Sequence, residues 1–304
     1  MNYNKPAVSI PNQILKLQGR GLSIPDVNVA TRYLSNISYY RLRAYTYPFQ
    51  NNTTENQPFV GNVSIEDIMT LYTFDRRLRL LIFDAVERIE IALRTQIIYQ
   101  WAMTHGSHWH LEQNLYKDSS KFIRHLSSLQ KEIDRCNETF IEHYFQKYTQ
   151  PTEPPAWMSL EVTSIGLLSL LFQNLKSCPE KKAVTHHFGL LSNDILENWI
   201  HNFCNIRNIC AHHGRLWNRR ISIHLNIPKK TALPFITNKN INPYKLYATL
   251  VAMVYCMEII NPESNFKTAL LALLEECPGA QLKEIGFPKN WKEELFWDIK
   301  IKNL

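Results

Sequence analysis

The sequence predicts an all-α fold, on three observations. Only 9 glycines stand beside 14 tyrosines, 14 phenylalanines and 7 tryptophans, too few for a turn-rich β-sandwich or a glycine-dependent phosphate loop. Apolar residues recur three and four apart through most of the chain, the period of an amphipathic helix. Residues 65–105 run without a glycine or proline, so nothing in that stretch interrupts a helix.

Taken in order, residues 11–49 read as short helices. Ile14, Leu15 and Leu17 precede a turn at Arg20-Gly21, and Ala30, Tyr33, Leu34 and Ile37 resume the helical spacing. Tyr39, Tyr40, Tyr45 and Tyr47 then alternate with Arg41 and Arg43 up to Pro48. Such a mix either packs a small helical subdomain or stacks on RNA bases. The polar run N-N-T-T-E-N-Q-P reads as a loop. Ser64, with Asp67 three residues on, opens the next helix. Its stripe runs from Ile68 through Leu78, Val86 and Leu93 to Ile97, and it extends some 35–40 residues, about 55 Å, as the spine of a bundle. Arg76, Arg77, Arg79, Glu87, Arg88, Glu90 and Arg94 crowd its other face.

His105-Gly106-Ser107 ends the spine. Lys121–Tyr148 reads as one amphipathic helix bearing Phe122, Leu126, Leu129, Ile133, Phe140 and Phe145, closed by Pro151, Pro154 and Pro155. Met158–Leu175 follows as an apolar helix, Glu180–Phe188 as a short one, and Asn193 or Asp194 caps a helix from Ile195. After Gly214 the period drops to two, with Ile221, Ile223, Leu225 and Ile227 alternating with polar residues in a short strand or extended arm. Helices over Tyr244–Ile260 and Ser264–Cys277 and an aromatic tail with Trp291, Phe296 and Trp297 complete the chain. The expected division is an N-terminal helical segment (1–60), a bundle (61–227) and a C-terminal helical extension (228–304).

With 304 residues, 45% hydrophobic and 20% charged, the composition is that of a folded protein. The net charge of +7 suits a phosphate backbone or an anionic lipid surface. Six cysteines lack any C-x-x-C pairing and read as reduced thiols. The opening M-N-Y-N-K-P-A-V-S-I has no apolar run, and no stretch of about 18 uncharged apolar residues occurs. A cytoplasmic protein with no membrane partner is the expectation.

Chemistry concentrates at residues 199–220. Arg207, Asn208, His212, His213, Arg215, Arg219 and Arg220 gather at the end of one helix. Asn208 and His212 are four apart and share a face. Arg207 lies about 140° round from His212, within reach of a long side chain. Gly214 terminates the helix in this reading and leaves both histidines in its last turn, at the negative end of the dipole. Trp217 is either a base-stacking residue or a buried one at a dimer seam.

R-N-I-C-A-H at 207–212 resembles the Arg-x4-6-His signature of the HEPN superfamily. Y-Y-R-L-R-A-Y-x-x-P-F at 39–49, F-D-R-R-L-R-x-L-I-F-D-A-V-E-R-I-E at 74–90, P-A-W-M-S-L-E at 155–161 and R-N-I-C-A-H-H-G-R-L-W-N-R at 207–219 resemble, in order and spacing, the bacterial Abi (abortive infection) family. The resemblance implies a HEPN-like helical bundle and a metal-independent endoribonuclease acting as a toxin or effector in anti-phage defence, with no cofactor. Arg207 and His212 carry over as the catalytic pair. Two copies of such a motif usually meet in one composite site, which implies a homodimer. A small structured non-coding RNA acting as antitoxin is a further implied partner.

The residue types suit the chemistry independently. Cleaving RNA without a metal needs a base for the ribose 2′-OH, an acid for the leaving 5′ oxygen and positive charge on the phosphate. Two histidines titrating near neutrality and two planar guanidinium groups supply these, giving 2′,3′-cyclic phosphate and 5′-hydroxyl ends. Asn208 is expected to orient His212 by a hydrogen bond. His213 is a phosphate contact or a structural residue, and Arg215, Arg219 and Arg220 suit phosphate binding. Glu87 and Glu90 either pin Arg207 or pair along their own helix with Arg88 or Arg94. His105, His108 and His110 lack a carboxylate or cysteine at ligand spacing, so no metal site is expected. His201, Cys204 and Cys210 read as a helix with core thiols. No Walker loop, G-x-G-x-x-G, H-E-x-x-H or G-x-S-x-G occurs. The competing class is a non-catalytic RNA-binding interaction module in which Arg207 and His212 only hold a phosphate.

Overall fold

The computed structural model describes residues 6–277 and 279–298. Among them it is all-α: thirteen α-helices and a few 3-10 turns, with isolated β-bridges in place of any sheet. No helix of the described residues is long and apolar enough to cross a membrane. The chain divides into two compact units between Leu78 and Arg79.

The first unit holds α1 (Ile10–Gln18), α2 (Val27–Ile37), α3 (Tyr39–Thr46) and the opening turns of α4 (Ile65–His105). Its core takes Ile14, Leu17, Ala30, Leu34 and Ile68 from the predicted stripe and adds Leu42, while Leu15, expected on that stripe, is exposed. Asp26 caps α2 by accepting from the Asn28 and Val29 amides. Ser64 and Asp67 cap α4 reciprocally, the Asp67 amide donating to Ser64 Oγ at 3.2 Å and the Ser64 amide to Asp67 Oδ2 at 2.9 Å. The tyrosine cluster splits: the Tyr45 hydroxyl donates to Asp75 Oδ2 at 2.6 Å inside the core, while Tyr40 and Tyr47 stay exposed.

The second unit continues along α4 with α5 (Ser119–Asp134), α6 (Thr139–Lys147), α7 (Ala156–Ser159), α8 (Ile165–Asn174), α9 (Pro179–His187), α10 (Asn193–Ala211), α11 (Leu246–Ile260), α12 (Phe266–Glu275) and α13 (Gly279–Ile285). The expected Lys121–Tyr148 helix is two helices, interrupted at Arg135-Cys136-Asn137-Glu138. The break turns Ile141 and Tyr144 inward and leaves Phe145 exposed, against the sequence expectation. Met158–Leu175 is likewise broken. Ser164 starts α8 as N-cap, and Glu132 of α5 accepts from both its amide and its hydroxyl. The charged face of α4 is partly internal: Arg94 is buried and donates to Glu90 at 2.7 Å and to the Leu160 carbonyl.

α10 occupies the middle of this unit, packed against α8, α9 and α11. α11 is buried along nearly its whole length, from Leu246 to Met257. Residues 221–227 form an extended arm rather than a strand, because side chains of α10 satisfy the arm's backbone. Asn202 Nδ2 donates to the Ile223 carbonyl at 2.7 Å, Trp199 Nε1 to Asn226 at 2.8 Å and Asn198 Nδ2 to His224 at 3.0 Å. Ile221 and Leu225 are the arm's buried positions.

The histidine-rich loop after α4 is structural. His108 Nε2 lies 2.9 Å from the Glu153 carbonyl, and His105 faces Glu180 at 3.7 Å. His110 is buried, and burial, reinforced by neighbouring His108, pushes its pKa down to about 3. The folded protein therefore refuses a proton that the unfolded chain accepts below its ordinary value of 6.5, so stability is lost as pH falls from there toward 3. The expected loss from this one group between pH 7.5 and pH 5 is about 2 kcal/mol. Urea unfolding at the two pH values checks it: His110→Phe flattens that acid limb relative to wild type.

Candidate active site

α10 delivers Arg207, Asn208 and His212 to a surface by its own geometry. Its inward face carries Leu196, Trp199, Ile200, Phe203 and Ile206, all buried. The helical period then brings Asn208 out to solvent and leaves Arg207 half-buried. The last helical residue is Ala211. His212 is the C-cap, exposed, with its amide donating to the Asn208 carbonyl at 3.0 Å.

The terminus differs from the sequence expectation in a specific way. The left-handed residue is His213, at φ 56°, and not Gly214. The His213 amide donates to Cys210 at 3.0 Å and the Gly214 amide to Ile209 at 2.7 Å, the paired bonds of a Schellman ending with histidine at C′. Gly214 is needed for space: a Cβ there would lie 3.1 Å from Ile209 Cγ2 and 3.2 Å from the Ile209 carbonyl. A non-glycine left-handed residue is held at a cost, and such strain gathers at functional sites. What holds it is Arg79, buried on α4, whose Nη1 donates to the Gly214 carbonyl at 3.1 Å and reaches His213 at 3.4 Å. Residue spacing gave no cue to this role, since Arg79 sits in a run of arginines.

Arg207 lies over the ring of Phe83 at 5.9 Å and donates from Nη1 to Asn208 Oδ1 at 3.3 Å. Asn208 Nδ2 in turn contacts Cys204 Sγ at 3.9 Å. The expectation that the Asn208 side chain orients the His212 ring is therefore corrected: its amide is engaged by Arg207 and Cys204, and its link to His212 is through the backbone. Burial raises the pKa of the Cys204 thiol, with Arg207 opposing and Glu90 adding to the shift, so this cysteine is a core thiol beside the site. Glu90 is bonded to Arg94 rather than to Arg207, and Arg88 pairs with Asp84. Glu87 is exposed on α4. The expectation that either glutamate pins Arg207 is met by neither.

Arg219 and Arg220 are exposed beyond the turn. Arg219 Nη1 reaches the Arg215 carbonyl at 3.4 Å, and the Arg220 guanidinium stacks 3.8 Å over Tyr244. Arg215 is half-buried. Trp217 is completely buried within this chain and donates from Nε1 to the Gln281 carbonyl at 3.2 Å. Neither a base-stacking role nor a place at a dimer seam remains for it.

Fold and site together define an all-α protein whose candidate centre is an exposed, cationic, histidine-bearing helix end. The chain belongs to the Abi-like protein family, whose model matches residues 32–218. The matched span includes Arg207, Asn208, His212, His213, Arg215 and Trp217 and stops short of Arg219. Membership points to abortive-infection defence. No curated protein and no solved structure matches the chain.

Proposed function

We propose that the protein is a metal-independent endoribonuclease of the HEPN type, acting as a toxin or effector in abortive infection. The observation that carries this reading is the helix end itself: an exposed imidazole at the C-cap, one turn beyond an arginine–asparagine pair, with a strained turn keeping it there. The chain carries the Arg-Asn-x3-His form of the motif once, at 207–212, so in this reading a second copy completes the site. In the dimer one His212 takes the proton of the ribose 2′-OH and the other gives a proton to the leaving 5′ oxygen. The two Arg207 side chains bind the phosphate oxygens as negative charge builds on them. An apolar surface beside Arg207 supports the dimer: Leu80, Phe83 and Ile91 lie within about 80° of one another on α4, and all three are exposed. Arg219 and Arg220 extend the cationic surface for the RNA strand and for an antitoxin RNA that would cover it.

The chemistry has a direct test. Purified protein incubated with RNA and a chelator should give fragments ending in 2′,3′-cyclic phosphate and 5′-hydroxyl. Fragments with 5′-phosphate ends, or cleavage abolished by the chelator, overturn the mechanism.

A further inference from the structure

A cleft of about 570 Å³, lined by polar and apolar side chains alike, opens on the second unit between α5, α8 and α10. Lys117, Lys121, Arg124 and His125 line it, together with the carboxylates of Asp118 and Glu197. Both carboxylates are already committed. Asp118 Oδ1 caps α5, accepting from the Lys121 amide at 3.0 Å and from the Ser120 hydroxyl at 2.8 Å. Glu197 Oε1 accepts from the buried Lys181 ammonium at 2.6 Å and from Lys117 at 3.4 Å. Lys121 and Arg124 are exposed one turn apart on α5, so both present their charge to the cleft. His125 is nine-tenths buried at the cleft wall, and its Nδ1 has no hydrogen-bond partner.

The cleft is tied to the candidate active site by one rigid element. Glu197 and Asn208 both lie on α10, eleven residues apart. That is three helical turns, which puts them on one face about 16 Å apart. Between them His201 is exposed, while Cys204 is buried where α8 packs against α10. A strand of a few nucleotides passing over His201 beside the α8 contact is long enough to span the distance.

We propose that this cleft is a second docking point for the RNA strand, holding its sugar-phosphate backbone through Lys121 and Arg124, with Lys117 at the margin. The proposal rests on RNA being what the protein acts on. It explains how an exposed helix end, shallow in itself, acquires a long grip on a flexible polymer: contacts to backbone phosphates set register and affinity without reading bases.

Binding measured in a His212→Ala background separates this from the ribonuclease reading, because no cleavage is required. Fluorescence anisotropy of a labelled single-stranded RNA is followed across a range of salt, with and without Lys121→Gln and Arg124→Gln together. Loss of two phosphate contacts should weaken binding about tenfold and reduce the slope of log affinity against log salt by about 1.4. Lys229→Gln with Lys230→Gln removes the same charge from exposed positions outside the cleft and should leave the slope in place. An unchanged slope in the cleft variant, or an equal fall in the control, overturns the proposal. So does inorganic phosphate binding that the cleft substitutions abolish while RNA binding stays intact, which would make the cleft a small-anion site. If the wild type cleaves no RNA but the cleft variant binds it as described, the ribonuclease reading fails and the docking site stands.

Discussion

The His212→Ala variant should cleave RNA about 10²–10⁴-fold more slowly than the wild type, the range by which a positioned general acid or base accelerates a reaction. In a composite site each protein chain supplies one of the two imidazoles, so the single substitution removes base and acid together. The effect therefore belongs at the upper end of that range. Stability should hardly change, because the His212 ring is exposed. Arg207→Lys tests the arginine more sharply than alanine does. It keeps the charge and loses the planar fork that can bind two phosphate oxygens and lie over Phe83. Cleavage should fall severely in Arg207→Lys while RNA affinity falls little. The cellular counterpart is growth arrest on expression, with total RNA examined for new ends bearing cyclic phosphate. Arrest and cleavage lost together in His212→Ala and Arg207→Ala establish the nuclease. Arrest that survives either substitution at equal protein level points to the interaction module instead, in which the two residues only hold a phosphate.

Periodicity alone carried much of the fold. The uninterrupted stretch at 65–105 is one helix with the expected bounds, and the Ser64–Asp67 cap is reciprocal as its spacing requires. What periodicity could not carry are breaks decided by tertiary bonds. Ser164 starts a new helix because Glu132, thirty-two residues earlier, holds its amide and hydroxyl. The arm at 221–227 alternates as a strand would, but asparagine side chains of α10 take up its backbone groups before any strand could.

At the candidate site, composition located the helix end and misassigned its supports. Gly214 looked like the terminator because glycine usually fills the left-handed position, yet here a buried arginine stabilises that conformation in His213. Glu90 had two candidate partners, Arg94 by spacing on its own helix and Arg207 across on α10. Arg94 lies one turn along the same helix and is already buried against Leu160, so it captures the carboxylate. Trp217 sits among arginines in sequence but faces α13 in space. Proximity along the chain says which residues are near a site; which of them face it is set by elements far away in sequence.

Lys181→Met should cost about 3 kcal/mol, the low end of the penalty for breaking a buried ion pair, because Lys117 at 3.4 Å still faces the carboxylate left behind. Few surface features mark this residue, since its side chain is almost fully enclosed. Its ammonium donates to the Phe172 carbonyl at 2.6 Å, to the Leu175 carbonyl at 2.8 Å and to Glu197 at 2.6 Å. The first two are carbonyls at the end of α8, so the charge sits where the helix dipole favours a cation. One side chain of α9 thereby fastens the C-terminus of α8 to α10, the helix that bears the candidate site. Burial pulls the Lys181 pKa down to about 8, with Glu197 working against that fall. The substitution leaves two enclosed carbonyls without their donor, and leaves Glu197, at the cleft wall, with Lys117 alone. A loss of this size shifts the melting temperature by on the order of 10 °C in a domain of this length, and calorimetry reads it directly. Adding Glu197→Leu should recover part of the loss, because the charge left stranded by the first change is then removed. A double variant no more stable than Lys181→Met would instead assign the cost to the α8 carbonyls.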